Sequence, residues 1–145
     1  MASTELTPLV ASPTIVWLMN DRPAIVSIQE HEDGDEIHVK IALTWLDGEY
    51  SGEASGPAEW SYRPRLVGEA TLRAVEAVTN HAVQLSLAAV ATTPLGSAQV
   101  AMAQVMMEGE SEPLVGSALL GSNDEAGATV KAVLDAINRR LSKVL

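Results

Sequence analysis

Between residues 36 and 46 the chain alternates. Ile37, Val39, Ile41, Leu43 and Trp45 are apolar, and His38, Lys40, Ala42 and Thr44 stand between them. A period of two predicts a strand with one buried face. AIVSIQEHE (24–32) predicts the strand before it, and DGD (33–35) the hairpin turn between them. DGE (47–49) turns the chain again, and YSGEASG (50–56) predicts a third strand. After a loop, PAEWSYRP (57–64), the period changes. From Arg65 to near Asn80, the residues Leu66, Val67, Ala70, Ala74, Ala77 and Val78 recur at helical spacing. Pro64 suits the first helical turn, where a missing N–H costs nothing.

The order then repeats. VQLSLAAVATT (83–93) predicts a strand and PLG (94–96) a turn. SAQVAMAQVMM (97–107) predicts a strand with Ala98, Val100, Met102, Gln104 and Met106 on one face. EGESEP (108–113) turns the chain, and LVGSALLG (114–121) predicts the last strand. SND (122–124) then caps a helix whose apolar stripe is Val130, Val133, Leu134, Ile137 and Leu141. Asp124 and Glu125 suit its positive start, and Arg139, Arg140 and Lys143 its negative end. The pattern is β-β-β-α, twice. An offset of 61 lays Val39 on Val100, and one of 64 lays Gly52 on Gly116 and Ala54 on Ala118. An offset of 58 lays EATLRAVEAVTN (69–80) on GATVKAVLDAIN (127–138), with five of twelve positions identical. The drop from 64 to 58 implies that the first strand-to-helix junction holds six more residues than the second. The expected fold is therefore α+β: a tandem β-β-β-α duplication with pseudo-twofold symmetry, its helices packed on antiparallel sheet. Residues 1–23 are expected to form an N-terminal arm, with TIVWLM (14–19) a short strand or docking segment. Residues 24–145 form one duplicated domain, divided into units 24–81 and 82–145.

Composition narrows the function. The chain has 145 residues and a net charge of −10, which disfavours nucleic acid and anionic membranes as partners. It has no cysteine, so disulfides, thiolate catalysis and Cys-based metal sites are excluded. No basic segment precedes the apolar part of the N-terminus, and no apolar run approaches the length of a membrane span. The expectation is a cytoplasmic protein.

The two junctions are the candidate site. A helix start offers unpaired N–H groups and a positive dipole end to a carboxylate. At the first junction the small residues Gly52, Ala54, Ser55 and Gly56 admit a ligand to the backbone. Arg63 and Arg65 form a fork for a carboxylate, Trp60 and Tyr62 cover an apolar side chain, and Glu53 or Glu59 receives an ammonium. Gly121, Ser122 and Asn123 are the counterparts at the second junction. The set suits a small amino or keto acid. A plainer reading stands beside it: Gly52 and Ala54 are small because a helix crosses close above, the arginines pair with Glu53 or Glu69, and residues 121–124 only cap a helix. His31 with its acidic neighbours reads as a solvated hairpin tip. No nucleophile–base frame, phosphate loop or metal-ligand spacing stands out, so no catalytic residue, metal or cofactor is expected.

The element order, GEASGP (52–57) leading to a helix, and GSALLGSNDEAGATVKAVLDAIN (116–138) together resemble the C-terminal regulatory domain of 2-isopropylmalate and citramalate synthases, the LeuA dimer domain. The resemblance runs from about residue 24 to about 141. It implies a homodimer that binds an end-product amino or keto acid near the two junctions and restrains a catalytic barrel. This chain carries no barrel, so it is expected not to be an enzyme. Its first loop, AEWSYRPR (58–65), is longer than in that family, and its second junction lacks the tight glycine alternation. The expected function is a non-catalytic, small-ligand regulatory module that dimerises. The alternative is a structural dimerisation or adaptor protein without a small ligand, docking through residues 1–19.

Overall fold

Alternating aliphatic residues make six strands here, and two Ala-rich amphipathic stretches make the helices. The structure, a computed structural model, describes residues 22–121 and 124–144. The order is β1 (Ala24–Asp33), β2 (Glu36–Trp45), β3 (Gly48–Pro57), α1 (Arg63–Val78), β4 (Leu85–Leu95), β5 (Ala98–Met107), β6 (Leu114–Leu119) and α2 (Glu125–Val144). It is three strands and a helix, twice, as the sequence pattern implies. The expected arm with TIVWLM (14–19) falls outside the described residues. A 3-10 turn over Trp60–Tyr62 interrupts the expected loop, and α1 opens at Arg63 rather than Arg65, with Pro64 in its first turn. Helix α1 stops at Val78, and Asn80 and His81 follow in the left-handed region.

The strands form two separate antiparallel sheets, β1-β2-β3 and β4-β5-β6. Their irregularities match. Both first strands bulge at one place, Val26 in β1 and Ala88 in β4, and both first hairpins turn on a left-handed glycine, Gly34 and Gly96. These pairs stand at an offset of 62. So do the helix starts, Arg63 and Glu125. Gly52 lies under Ala70 and Ala74, and Gly116 under Ala132 and Ala136, so the helices also superpose at 62. The buried positions of α1 from Leu66 to Val75 map at that offset onto those of α2 from Ala128 to Ile137.

This corrects two expectations. The helix match at 58 is displaced by one turn. A slip of four residues keeps the same helical face inward, and alanines spaced by four in both helices still fall on alanines. The excess at the first junction is accordingly two residues, from 64 to 62, and not six. The strand match at 61 is displaced by one, which exchanges faces. At 62, Val39 corresponds to Ala101. The inner face of β5 is Ala101, Ala103, Val105 and Met107, all buried. The expected face of Val100, Met102, Gln104 and Met106 points away from the helix.

One core runs through both halves, from Ile37, Val39, Ile41 and Leu43 of β2 to Val130, Val133 and Ile137 of α2. Helix α1 binds the halves together. It packs on β2 and β3 of its own sheet, on α2, and on the edge strand β4. Arg65 and Arg73 donate to the carbonyls of Leu87 and Leu85, and the Leu85 N–H donates to Glu76 Oε2 at 2.8 Å. Arg73 pairs with Glu76 at 2.9 Å. These side chains satisfy the edge of β4 as a neighbouring strand would, which protects it from foreign pairing. Helix α2 does not repeat the device. Gly127, Asp135 and Asn138 stand where α1 has Arg65, Arg73 and Glu76. Asp135 accepts the Ser117 N–H in its own sheet, and Asn138 Oδ1 is buried without a partner.

Candidate functional site

At the first junction, the end of β3 delivers the chain to α1 beside the end of β1 and the start of β2. Period-two geometry divides the predicted residues. Gly52, Ala54 and Gly56 oppose Ile41, Val39 and Ile37, so they lie on the inner face. Ser55 opposes His38 on the outer face, apart from the other three. Its hydroxyl meets His38 Nδ1 at 2.6 Å. Glu53 opposes Lys40 on that outer face too.

Packing accounts for the small inner residues. A Cβ on Gly52 would stand 2.2 Å from Ala74 N and 2.4 Å from Ala70 O. Helix backbone fills the space that a ligand would need. Gly116 is crossed in the same way, at 2.3 Å from Ala132 O and Ala136 N. Ala54 packs against the core, and a Cβ on Gly56 would meet the side chain of Leu66 at 3.0 Å.

The arginines also have partners. Arg65 holds the Leu87 carbonyl and lies 3.4 Å from Glu69, one turn on. Arg63 pairs with Glu30 of β1, not with Glu53 or Glu69, and its guanidinium sits over the Trp60 ring at 5.3 Å from the centroid. The two arginines therefore do not form a free fork.

What remains open is a cavity of about 300 Å³ beside the junction, lined by Glu32, Ile37, Ala58, Glu59, Trp60 and Arg63. Of the predicted set it takes Arg63 and, among the flanking residues, Trp60 and Glu59. Glu32 and Ile37 were not foreseen, although alternation along β1 and β2 places both on the inner face. Its chemistry is mixed: an exposed indole, an isoleucine floor, one arginine already ion-paired, and two carboxylates without an ion pair among the described residues. A group that brings a positive charge and an apolar stem fits these walls better than a bare carboxylate does.

The second junction is a helix cap. Asp124 Oδ1 accepts the Gly127 N–H at 2.7 Å, and Thr92 of β4 donates to Glu125 at 3.0 Å. Gly121 is exposed with a φ of +46°, and Ser122 and Asn123 fall outside the described residues. A second cavity, of about 460 Å³, lies at the far end of the second sheet, between the start of β4 and the end of β5.

One constellation escaped the sequence reading. Ser55, His38 and Glu36 make a chain, with His38 Nε2 3.5 Å from Glu36 Oε1. His31 stacks on His38, with centroids 6.3 Å apart. The order resembles a hydrolase triad, but it lies on an open sheet face that neither cavity reaches. A triad works only with a substrate cleft and an oxyanion hole aimed at the reacting carbonyl. Among the described residues no cluster of three His, Asp or Glu side chains has metal-binding geometry, and no helix is long and apolar enough to cross a membrane.

The fold and site define a duplicated β-β-β-α α+β protein with a mixed-polarity pocket at its first junction. No protein-family model and no curated protein matches the sequence.

Proposed function

We propose that this chain is a non-catalytic regulatory module that binds a small amine-bearing molecule in the pocket beside α1 and acts as a homodimer in the cytoplasm. The observation that carries the reading is the pocket itself: Trp60 and Ile37 offer an apolar wall, and Glu32 and Glu59 offer two carboxylates without an ion pair among the described residues. The resemblance to the LeuA dimer domain supports the same class of function, with one refinement. Arg63 is committed to Glu30, so an amino acid or amine is preferred to a keto acid.

Thermal melts with leucine, valine, isoamylamine and the matching keto acids test this. A ligand at about 100 times its Kd adds about 2.7 kcal/mol to the native state. For a chain of this size that is a rise of roughly 5–10 °C. The amine-bearing compounds are expected to give the rise, the keto acids not, and Trp60→Ala is expected to remove it. No rise with any compound, or a rise that survives Trp60→Ala, refutes the pocket.

The second reading is a structural dimerisation or adaptor protein with no small ligand. The helix backbones over Gly52 and Gly116 favour it, because they fill the backbone space at both junctions. The same melts separate the two.

A further inference from the structure

The two sheets differ on the side turned away from the helices. The outward positions of the first sheet carry Asp33, Glu36, Lys40, Glu49 and Glu53. Strands β4, β5 and β6 contain no Asp, Glu, Lys or Arg at all. Their outward face presents Met102, Met106, Val115 and Leu119 beside the uncharged Gln104 and Ser117, with Leu95 at the rim. Met102 is 41% exposed, Val115 58%, Leu119 59% and Leu95 69%. Half of the exposed large hydrophobic residues among those described therefore share this one face. Because the two units are copies, the first sheet serves as an internal reference: duplication alone does not require an uncharged outer face.

We infer that this face is the surface on which a second copy of the chain docks, sheet against sheet. The inference rests on the dimerising half of the function proposed above and not on the pocket. Charge selects the partner. Each copy carries −10, so two copies repel wherever carboxylates meet. The outer face of the second sheet brings no carboxylate to the contact. A twofold pairing there is self-complementary, with the middle of β5, near Met102, crossing its own counterpart. Two such faces stack about 10 Å apart with side chains interleaved. Strands β4 and β5 are 11 and 10 residues long and β6 is six, so the face covers about 420 Å², or roughly 850 Å² across the pair, the size of a weak, reversible contact.

Sedimentation velocity on the full chain tests it. Wild type is expected to run as a dimer. Met102→Lys, Met102→Glu and Val115→Glu each place a charge on an exposed position and are expected to weaken the dimer at least about a hundredfold, with circular dichroism unchanged. Mixing Met102→Lys with Met102→Glu is expected to restore it. Lys40→Glu, on the outer face of the first sheet, and Trp60→Ala, in the pocket, are expected to leave it intact. A monomeric wild type overturns the inference. So does a dimer that survives all three outer-face variants, or one that the Lys–Glu mixture fails to rebuild. Ligand-induced melting shifts report on the pocket alone, so the two proposals fail separately.

Discussion

Substituting Gly116 by alanine puts one methyl group where the closest approach between strand and helix occurs. The new Cβ would sit 2.3 Å from both Ala132 O and Ala136 N, whereas ordinary contact begins at 3.4 Å. Both obstacles are backbone atoms of α2, so no rotamer change relieves them. The helix must withdraw by about 1 Å or β6 must bend, in a core packed at crystal density. Overpacking of this kind costs about 1–3 kcal/mol, and the upper end applies where backbone has to move. Reduced freedom of the unfolded chain returns about 0.4–1 kcal/mol. The expected net loss is about 2–2.6 kcal/mol, against a total stability of about 5–15 kcal/mol. Urea unfolding should show a lowered midpoint at unchanged slope, and Tm should fall by roughly 4–10 °C. Gly56→Ala is the control. Its Cβ would meet only the side chain of Leu66, at 3.0 Å, which can turn aside, so the cost should stay under about 1 kcal/mol. If Gly116→Ala costs no more than Gly56→Ala, close helix crossing is not what keeps the junction glycine.

The brace on β4 and the unpartnered amide oxygen in α2 make two further predictions. Glu76→Ala strips the Leu85 N–H of its acceptor and Arg73 of its counter-ion, and is expected to cost about 2 kcal/mol in chemical denaturation; an unchanged midpoint would show that α1 does not hold that edge. Asn138→Leu removes a buried carbonyl oxygen without a partner and is expected to raise stability by about 1 kcal/mol. A loss there would mean that the amide is satisfied in solution.

The element order, the hairpin turns and the Asp124 cap follow from the sequence by itself, because each depends on a few adjacent residues: alternation in EIHVKIALTW, a glycine at Gly34 and Gly96, a carboxylate three residues before Gly127. Register was harder to read. AQVAMAQVMM is apolar on both faces, so a one-residue slip leaves no mark on its pattern, and alanines repeating every four residues hide a one-turn slip in the helices. Only the tertiary structure decided which β5 face is inward, that Ser55 parts from Ala54 to join His38, and that Arg63 is taken by Glu30, thirty-three residues away. Those outcomes depend on which distant segments meet and at what height along one another. That is a matter of packed volumes and loop lengths summed over the whole chain, and no local window contains it.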